Sequence, residues 1–485
     1  MRILFVASEA VPFAKTGGLA DVAGAVPKAL RARGEDIALA LPYYRTVRER
    51  FAPQVHDTDI RLTVPLGKKT LPGALRRTVL PESDVPVYLI ENPELFDRQE
   101  LYSTPRGDYS DNDQRFIFFS RAVLQAMEAL GWQPDLYHCN DWQTALIPAY
   151  LKTLCAQDSF FRGARSLLTI HNLAYQGTFE AQAFELTGLG PSHFNWQEFE
   201  FYQKFNILKG GLVFADLLNT VSPRYAKEIQ TEEFGCGLQG VLASRADDLY
   251  GIINGIDYTV WNPATDDLIP ARYSPDDLGG KAVCKRELQK ECGLPRSDAP
   301  LLGLISRLAD QKGLDLIAEA MEPLMALDVQ FVLLGTGQEK YHKLFASLAK
   351  KHRRKFAAHI TFDNALAHRI EAGCDMYLMP SRYEPCGLNQ LFSLKYGTVP
   401  IVRRTGGLAD TITNCTPTSL AKGKANGFSF ESYSSRALLA TIKRALKLYA
   451  MPQRWRRLML VGMGQDWSWE RSAGEYLKLY REAHA

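Results

Sequence analysis

An alternation of short apolar runs with helical stretches, present in two separate series, constrains this chain more than any other feature. The first series opens with "RILFVAS", a continuous apolar run bounded by polar residues, as suits a strand buried on both faces. A helix follows in "GLADVAGAVPKALRARG", closed by Gly34, with Pro27 expected to bend it or sharpen its boundaries. "DIALALP" restores a strand, "DNDQRFIFFSRAVLQAMEALG" a helix, and "DLYHCND", "SLLTIHN" and "DLLNTVS" further strands. From about residue 300 the alternation restarts with "LLGLIS", "VQFVLLG", "HITF", "DMYLMPS" and "VPIV", each leading into a helix. Strands alternating with helices require parallel sheets covered on both faces. The expected fold class is therefore α/β, with two doubly wound domains at residues 1–250 and 251–465 and a helical stretch at 466–485.

Composition narrows the functional classes. A length of 485 residues suits two domains, and the 46% hydrophobic and 23% charged fractions are those of an ordinary globular chain. The net charge of +3 argues against nucleic acid as the main partner. None of the eight cysteines forms a C-x-x-C pair, so reduced thiols in a cytoplasmic protein are expected. The start "MRILFVASEAVPFAK" makes a poor signal peptide. No apolar run reaches the length of about 18 residues that a membrane span needs, so no membrane partner is expected.

One phrase occurs twice: TGGLAD stands at 16–21 and again at 405–410, each time after a basic residue. Both copies fall in strand–turn–helix contexts, and doubly wound sheets bind ligands outside the carboxyl ends of their strands. Paired glycines let a backbone approach a ligand, and the following helix N-terminus favours anions. Tight turning alone fits either copy equally well. Two copies in matching contexts favour a pair of ligand-facing loops, one from each domain.

Other loops follow strands in the same way. Asp141 lies in "HCNDW", His171 in "TIHN" and Asn254 in "IINGID"; Arg307 and Lys312 lie in "SRLADQK" and Glu384 in "SRYEPCG". An Arg and a Lys five apart across a strand end can both reach a diphosphate and neutralise it without a metal. A solvated charge pair fits that spacing too. Glu384 precedes a helical stretch whose N-terminus favours negative charge, so simple capping also accounts for it. His171 and Asp141 fit satisfied polar groups at strand ends as well as a site. The "DND" at 111–113 opens a helix, where acids are expected as caps. "LGTGQEK" lacks the third glycine of a dinucleotide fingerprint. The sequence contains no Walker loop, no Gly-x-Ser-x-Gly elbow and no metal-spaced His/Cys cluster, so no metal and no cofactor is expected.

Together, "KTGGLADV", "HCNDWQTALIP", "TIHNLAYQG", "NGIDYTVWNP", "SRLADQKGLDL", "SRYEPCGLNQLFSLKYGTVPIVRRTGGLADT" and "NGFSF" resemble the bacterial glycogen synthases and the catalytic core of plant starch synthases. The segments occur in the family's order from residue 1 to about 480. The resemblance implies a GT-B fold: two Rossmann-like domains facing each other across a deep cleft, with the final helix 466–485 packed back on the N-terminal domain. It implies a retaining glucosyltransferase that moves glucose from ADP-glucose to the non-reducing 4-hydroxyl of an α-1,4-glucan, glycogen or a maltooligosaccharide.

Carried over residue by residue, it makes Lys15 a donor-binding residue, Gly18 an N–H donor to the diphosphate, and Asp21 a support of that loop. Arg307 and Lys312 hold the leaving nucleoside diphosphate. Glu384, Cys386, Gly387 and Leu388 grip the donor glucose and phosphate. His171 and Asn254 contact sugar hydroxyls, and Asp141 is the essential acid on the acceptor side. Two departures stand out: Phe392 occupies a position where many retaining GT-B enzymes carry a second Glu, and Asn389 one where relatives often have Thr. A GT-B transferase using UDP-glucose or a small acceptor would share these residues. A phosphorylase would add pyridoxal phosphate on a lysine, and a catalytically dead glucan-binding protein would lose the charged groups.

Overall fold

The computed structural model of the chain describes residues 1–104 and 107–484, so Ala485, the last residue of the expected terminal helix, lies outside the described residues. The chain divides into two compact units. The first comprises Met1–Val221, Ala226–Gly255 and Trp469–Ala485; the second comprises Ser222–Tyr225 and Ile256–Ser468.

The first unit is built on a nine-stranded sheet. Its strands are β1 (Arg2–Val6), β2 (Asp36–Pro42), β3 (His56–Leu66), β4 (Lys69–Val79), β5 (Pro86–Glu91), β6 (Leu136–Asn140), β7 (Arg165–Ile170), β8 (Leu217–Thr220) and β9 (Leu249–Gly251). They lie in the order β9-β8-β7-β6-β1-β2-β5-β4-β3. The pairs from β9 through to β5 are parallel, and β4 and β3 add an antiparallel hairpin at one edge. β1 is central, and Ile3, Leu4, Phe5 and Val6 have no exposed surface, which explains its unbroken apolar run.

Helix α1 (Gly18–Arg31) carries Pro27 inside it and continues to Arg31. Pro27 is buried with Val22, Ala23, Val26 and Leu30, and packing of that face outweighs one lost N–H donor. Gly34, at φ 89°, turns the chain into β2. Helix α2 (Asn112–Leu130) starts after Asp111, which does not cap it; its carboxylate takes two hydrogen bonds from Arg98, at 2.9 and 2.6 Å.

The second unit has a six-stranded, all-parallel sheet of β10 (Leu301–Ile305), β11 (Gln330–Leu334), β12 (Phe356–His359), β13 (Met376–Met379), β14 (Val399–Arg403) and β15 (Phe428–Phe430), in the order β12-β11-β10-β13-β14-β15. The order reverses at β10, so the loops after β10 and β13 stand at the topological switch point. Four helices of this unit matter below: α3 (Leu314–Met325), α4 (Glu339–Lys351), α5 (Asn389–Lys395) and α6 (Gly406–Thr411). The last helix, α7 (Trp469–His484), belongs to the first unit, where the Tyr480 hydroxyl meets His138 Nδ1 of β6 at 2.7 Å.

Candidate active site

In the second unit, the carboxyl ends of β10 and β13 bring their loops together. After β10 the chain makes a short turn over Asp310–Lys312 and enters α3 through Gly313 at φ 69°. A Cβ on Gly313 would sit 2.0 Å from the Pro380 carbonyl oxygen, so glycine alone permits this approach. It places Lys312 Nζ 2.9 and 2.8 Å from the two carboxylate oxygens of Glu384, and Ser381 Oγ donates to Oε2 at 2.8 Å. The side chains are only 18% and 7% exposed, so this is a largely dry ion pair. Such a pair persists when extra hydrogen bonds satisfy the carboxylate, which is the part Ser381 plays. Arg307 is exposed at the end of β10, and its guanidinium has no acidic partner among the described residues.

Beyond Glu384 the loop is shaped for an anion. Gly387 is left-handed at φ 74°, Leu388 right-handed at φ −118° and ψ −35°, and α5 begins next. Among the described residues, the N–H groups of Gly387 and Leu388 donate to no protein acceptor. Successive free amides in such a concavity form an anion nest. Cys386 is buried, and the Gln390 amide holds the loop by donating to the Cys386 and Gly387 carbonyls, each at 3.0 Å. Asn389 donates to the Ile305 carbonyl at 2.9 Å, tying α5 to the end of β10. Phe392 stacks on Trp261 with centroids 3.9 Å apart, and Trp261 stacks on His368 at 3.8 Å.

The second TGGLAD copy buttresses this loop from behind. Gly407 N–H donates to the carbonyls of Glu384 and Pro385, both at 3.1 Å, and Gly406 has φ 44°. Cβ atoms here would lie 1.9 Å from the Glu384 oxygen and 2.1 Å from the Cys386 oxygen. Asp410 accepts from Ser222 Oγ at 2.6 Å and from Arg224 N–H at 2.8 Å.

The first copy stands differently. Gly17 and Gly18 have no heavy atom within 4 Å of an added Cβ, and no side chain caps α1 from its N-cap position, so among the described residues the Gly18 and Leu19 amides are left without an acceptor. The loop is set by Glu9, 4% exposed, whose carboxylate accepts from Thr16 Oγ1 at 2.6 Å, Gly17 N–H at 3.1 Å and the Tyr102 hydroxyl at 2.8 Å. The sequence reading missed Glu9; its only signal was an acid inside the apolar "FVASEAVPF". Lys15 pairs with Asp21 at 2.6 Å; burial raises the Asp21 carboxyl, and Lys15 partly offsets that rise.

Asp141, after β6, has φ 56°, strained for a residue with a side chain. Its carboxylate accepts from His171 N–H at 2.7 Å, yet burial pushes it up to about 7 against those amide bonds. Burial takes the His171 imidazole down to about 3, so it is neutral. Asn140 donates its amide to the carbonyls of Val6 and His138, so its oxygen faces His171 Nε2 at 2.9 Å. That nitrogen therefore carries the proton and Nδ1 is left as an acceptor. Asn254 is 4% exposed, and its side-chain oxygen has no hydrogen-bond partner among the described residues.

The raised Asp141 carboxyl gives a signed expectation. A folded pKa above the unfolded value favours folding at low pH, and that benefit is lost as pH rises from about 4 to about 7. The stability gain of Asp141→Asn over the parent should therefore grow across that window. If the ionised acid is the working form, the kcat/KM of the parent should climb through about pH 7, and the variant should lack that limb. Melts and rate profiles of both proteins check this; a pH-independent stability difference would contradict it.

No group of three or more His, Cys, Asp or Glu side chains that could hold a metal ion occurs among the described residues. One further residue stands out: Phe362, just beyond β12, is 85% exposed.

Comparison with known proteins adds a second line of evidence. The family described as starch synthase catalytic domain matches residues 2–244, and glycosyl transferases group 1 matches residues 285–458. The glycogen synthase of Syntrophotalea carbinolica is 48% identical over 484 residues, covering 100% of this chain and 99% of that protein. Glycogen synthase 2 of Geobacter sulfurreducens is also 48% identical, with the same coverage. The catalytic domain of starch synthase IV from Arabidopsis thaliana, bound to ADP and acarbose, superposes with a TM-score of 0.89 at 33% identity over 99% of both chains. Sucrose-phosphate synthase from Thermosynechococcus elongatus shares the fold alone, with a TM-score of 0.60 at 16% identity, covering 99% of this chain and 98% of that one. An unbroken match along the whole length, on two Rossmann-like units of GT-B type, makes this chain a member of the glycogen and starch synthase family.

Proposed function

We propose that this protein is a retaining glycogen synthase that transfers glucose from ADP-glucose to the non-reducing 4-hydroxyl of an α-1,4-glucan. The observation that carries the reading is the end of β10 and β13: an unpaired Arg307, the Lys312–Glu384 pair and the open Gly387–Leu388 amides, within a chain matched along its length by glycogen synthases. In a retaining transfer, the acceptor hydroxyl attacks C1 on the face the diphosphate leaves. The C1–O bond to phosphate breaks, the new C1–O4 bond forms, and the hydroxyl proton passes to the departing phosphate. Charge growing on that phosphate is what fixed cations and amides stabilise. Arg307, Lys312 and the Gly387–Leu388 nest take this part in the second unit. In the first, Lys15 and the open end of α1 suit phosphate, while His171 Nδ1, Asn254 and Asp141 suit sugar hydroxyls.

Phe362 offers a flat face for the nucleobase, a contact worth about 1–3 kcal/mol. Phe362→Ala should raise KM for the donor roughly five- to hundredfold with little change in kcat. An unchanged KM would remove it from the site. With Arg307 and Lys312 as the neutralising charges, turnover should persist in excess chelator. Loss of activity restored by magnesium or manganese would contradict that assignment.

No helix among the described residues is long and apolar enough to cross a membrane, and no disulfide links the eight cysteines. Both features fit the cytoplasm, where we place the enzyme. Labelled glucose transfer to glycogen from ADP-glucose and UDP-glucose, run side by side, tests the function. Faster transfer from ADP-glucose is expected, and a clear preference for UDP-glucose would make this a related transferase with another donor.

A further inference from the structure

We propose that the second unit carries an anion pocket of its own, at the amino-terminal ends of β10, β11 and β12 and so opposite Arg307 and Glu384, that takes a small organic molecule bearing two or more phosphate groups. The cavity has a volume of about 570 Å³. That size admits one small ligand. It is formed where the chain enters three strands: Pro295, Arg296, Ser297 and Ala299 lead into β10, Asp328–Gln330 into β11 and Lys351–Lys355 into β12. The catalytic loops leave the other ends of this sheet, so the two places are distinct.

Its lining carries five lysine or arginine side chains against one carboxylate, Asp328. The whole chain has a net charge of only +3, so this is a local concentration that the overall balance hides. Part of it has a structural explanation. Lys351 complements the C-terminal end of α4 and shares Glu322 with His352, at 2.6 and 3.1 Å. Lys355 Nζ donates to the Met325 and Leu327 carbonyls at 3.0 and 2.7 Å, closing the end of α3. Arg296, Arg353 and Arg354 have no such account. All three are exposed, and none has an acidic partner among the described residues. Guanidinium forks match phosphate oxygens in pairs, and three of them around one cavity repel each other until an anion fills it.

The rest of the lining selects the ligand further. Pro295, Ala299 and Val329 give it an apolar wall for a carbon skeleton, whereas no Phe, Tyr or Trp lines it to stack a nucleobase. A compact polyol bisphosphate fits these walls better than a nucleic acid.

Calorimetric titration with glucose 1,6-bisphosphate at physiological salt, combined with hydrogen-exchange mapping, tests the proposal. The intact protein should bind the probe, with exchange slowed in 294–300 and 351–356. The triple variant Arg296→Ser, Arg353→Ser, Arg354→Ser should melt at the parent's temperature and bind at least about tenfold more weakly. Arg353→Ser alone should show a smaller loss of the same sign. Equal affinity in parent and triple variant, slowing confined to 306–313 and 381–389, or no binding at about 1 mM probe would each overturn it.

Discussion

Lys312→Ala will lower kcat/KM for the nucleotide sugar by roughly a hundred- to a thousandfold, the loss of about 3–4 kcal/mol that follows removal of one preorganised donor to a developing oxyanion. The substitution has a second consequence. It leaves the Glu384 carboxylate 7% exposed, with Ser381 its one remaining side-chain donor among the described residues. Breaking a buried pair costs about 3–5 kcal/mol unless the orphaned acid takes up a proton. Stability and turnover should therefore both fall. The double variant Lys312→Ala, Glu384→Gln isolates the stability effect: the neutral amide relieves the orphaned charge, so melting should recover, while turnover stays low because both groups are altered. If turnover recovers with stability, neither Lys312 nor the Glu384 carboxylate acts on substrate. Glu384→Ala in the intact background should depress kcat far more than donor affinity; normal kcat at saturating donor would make Glu384 a binding residue only.

The two TGGLAD glycines should respond in opposite ways. Gly407→Ala sets a Cβ 2.1 Å from the Cys386 oxygen and 2.6 Å from its Cα, so the loop carrying Glu384 must move. Overpacking of this kind costs about 1–3 kcal/mol, and the displaced loop should lose most of its turnover. Gly18→Ala meets no protein atom within 4 Å and sits at the first position of α1. Alanine is the better helix former there, so melting should hold or rise by up to about 1 kcal/mol while donor affinity falls, because the new methyl would stand where we propose that the donor phosphate approaches. Thermal melts paired with kinetics check both variants. A Gly407→Ala protein with parental stability and turnover would show that the second copy is only a turn.

That asymmetry marks where sequence reasoning stopped. The repeat led to the expectation of two ligand-facing loops, one from each domain. Only the open surroundings of Gly18 and the crowded ones of Gly407 show that identical words do different work. The strands were legible because parallel strands buried on both faces read as unbroken apolar runs, as in β1 and β11. The hairpin of β3 and β4 was not, since Pro65 and Pro72 lie within it and proline argues against a strand. Lys312 and Glu384 were each legible as strand-end charges, but their pairing across 72 residues was not. Glu384 was expected beside a helix N-terminus; instead Lys312 and Ser381 satisfy it, and a Gly387 turn separates it from α5. Glu9 and Phe362 were missed for a related reason: an acid and a phenyl ring gain meaning only from the burial of the first and the exposure of the second.

The central claim is retaining transfer of glucose from ADP-glucose to the 4-position of a glucan end. NMR of the product formed from ADP-glucose labelled with carbon-13 at C1, with maltoheptaose as acceptor, tests it most directly. The account predicts a labelled α-1,4-linked residue at the non-reducing end, formed one to one with ADP. A β-linked product, or label recovered only as free glucose or glucose 1-phosphate, would contradict it.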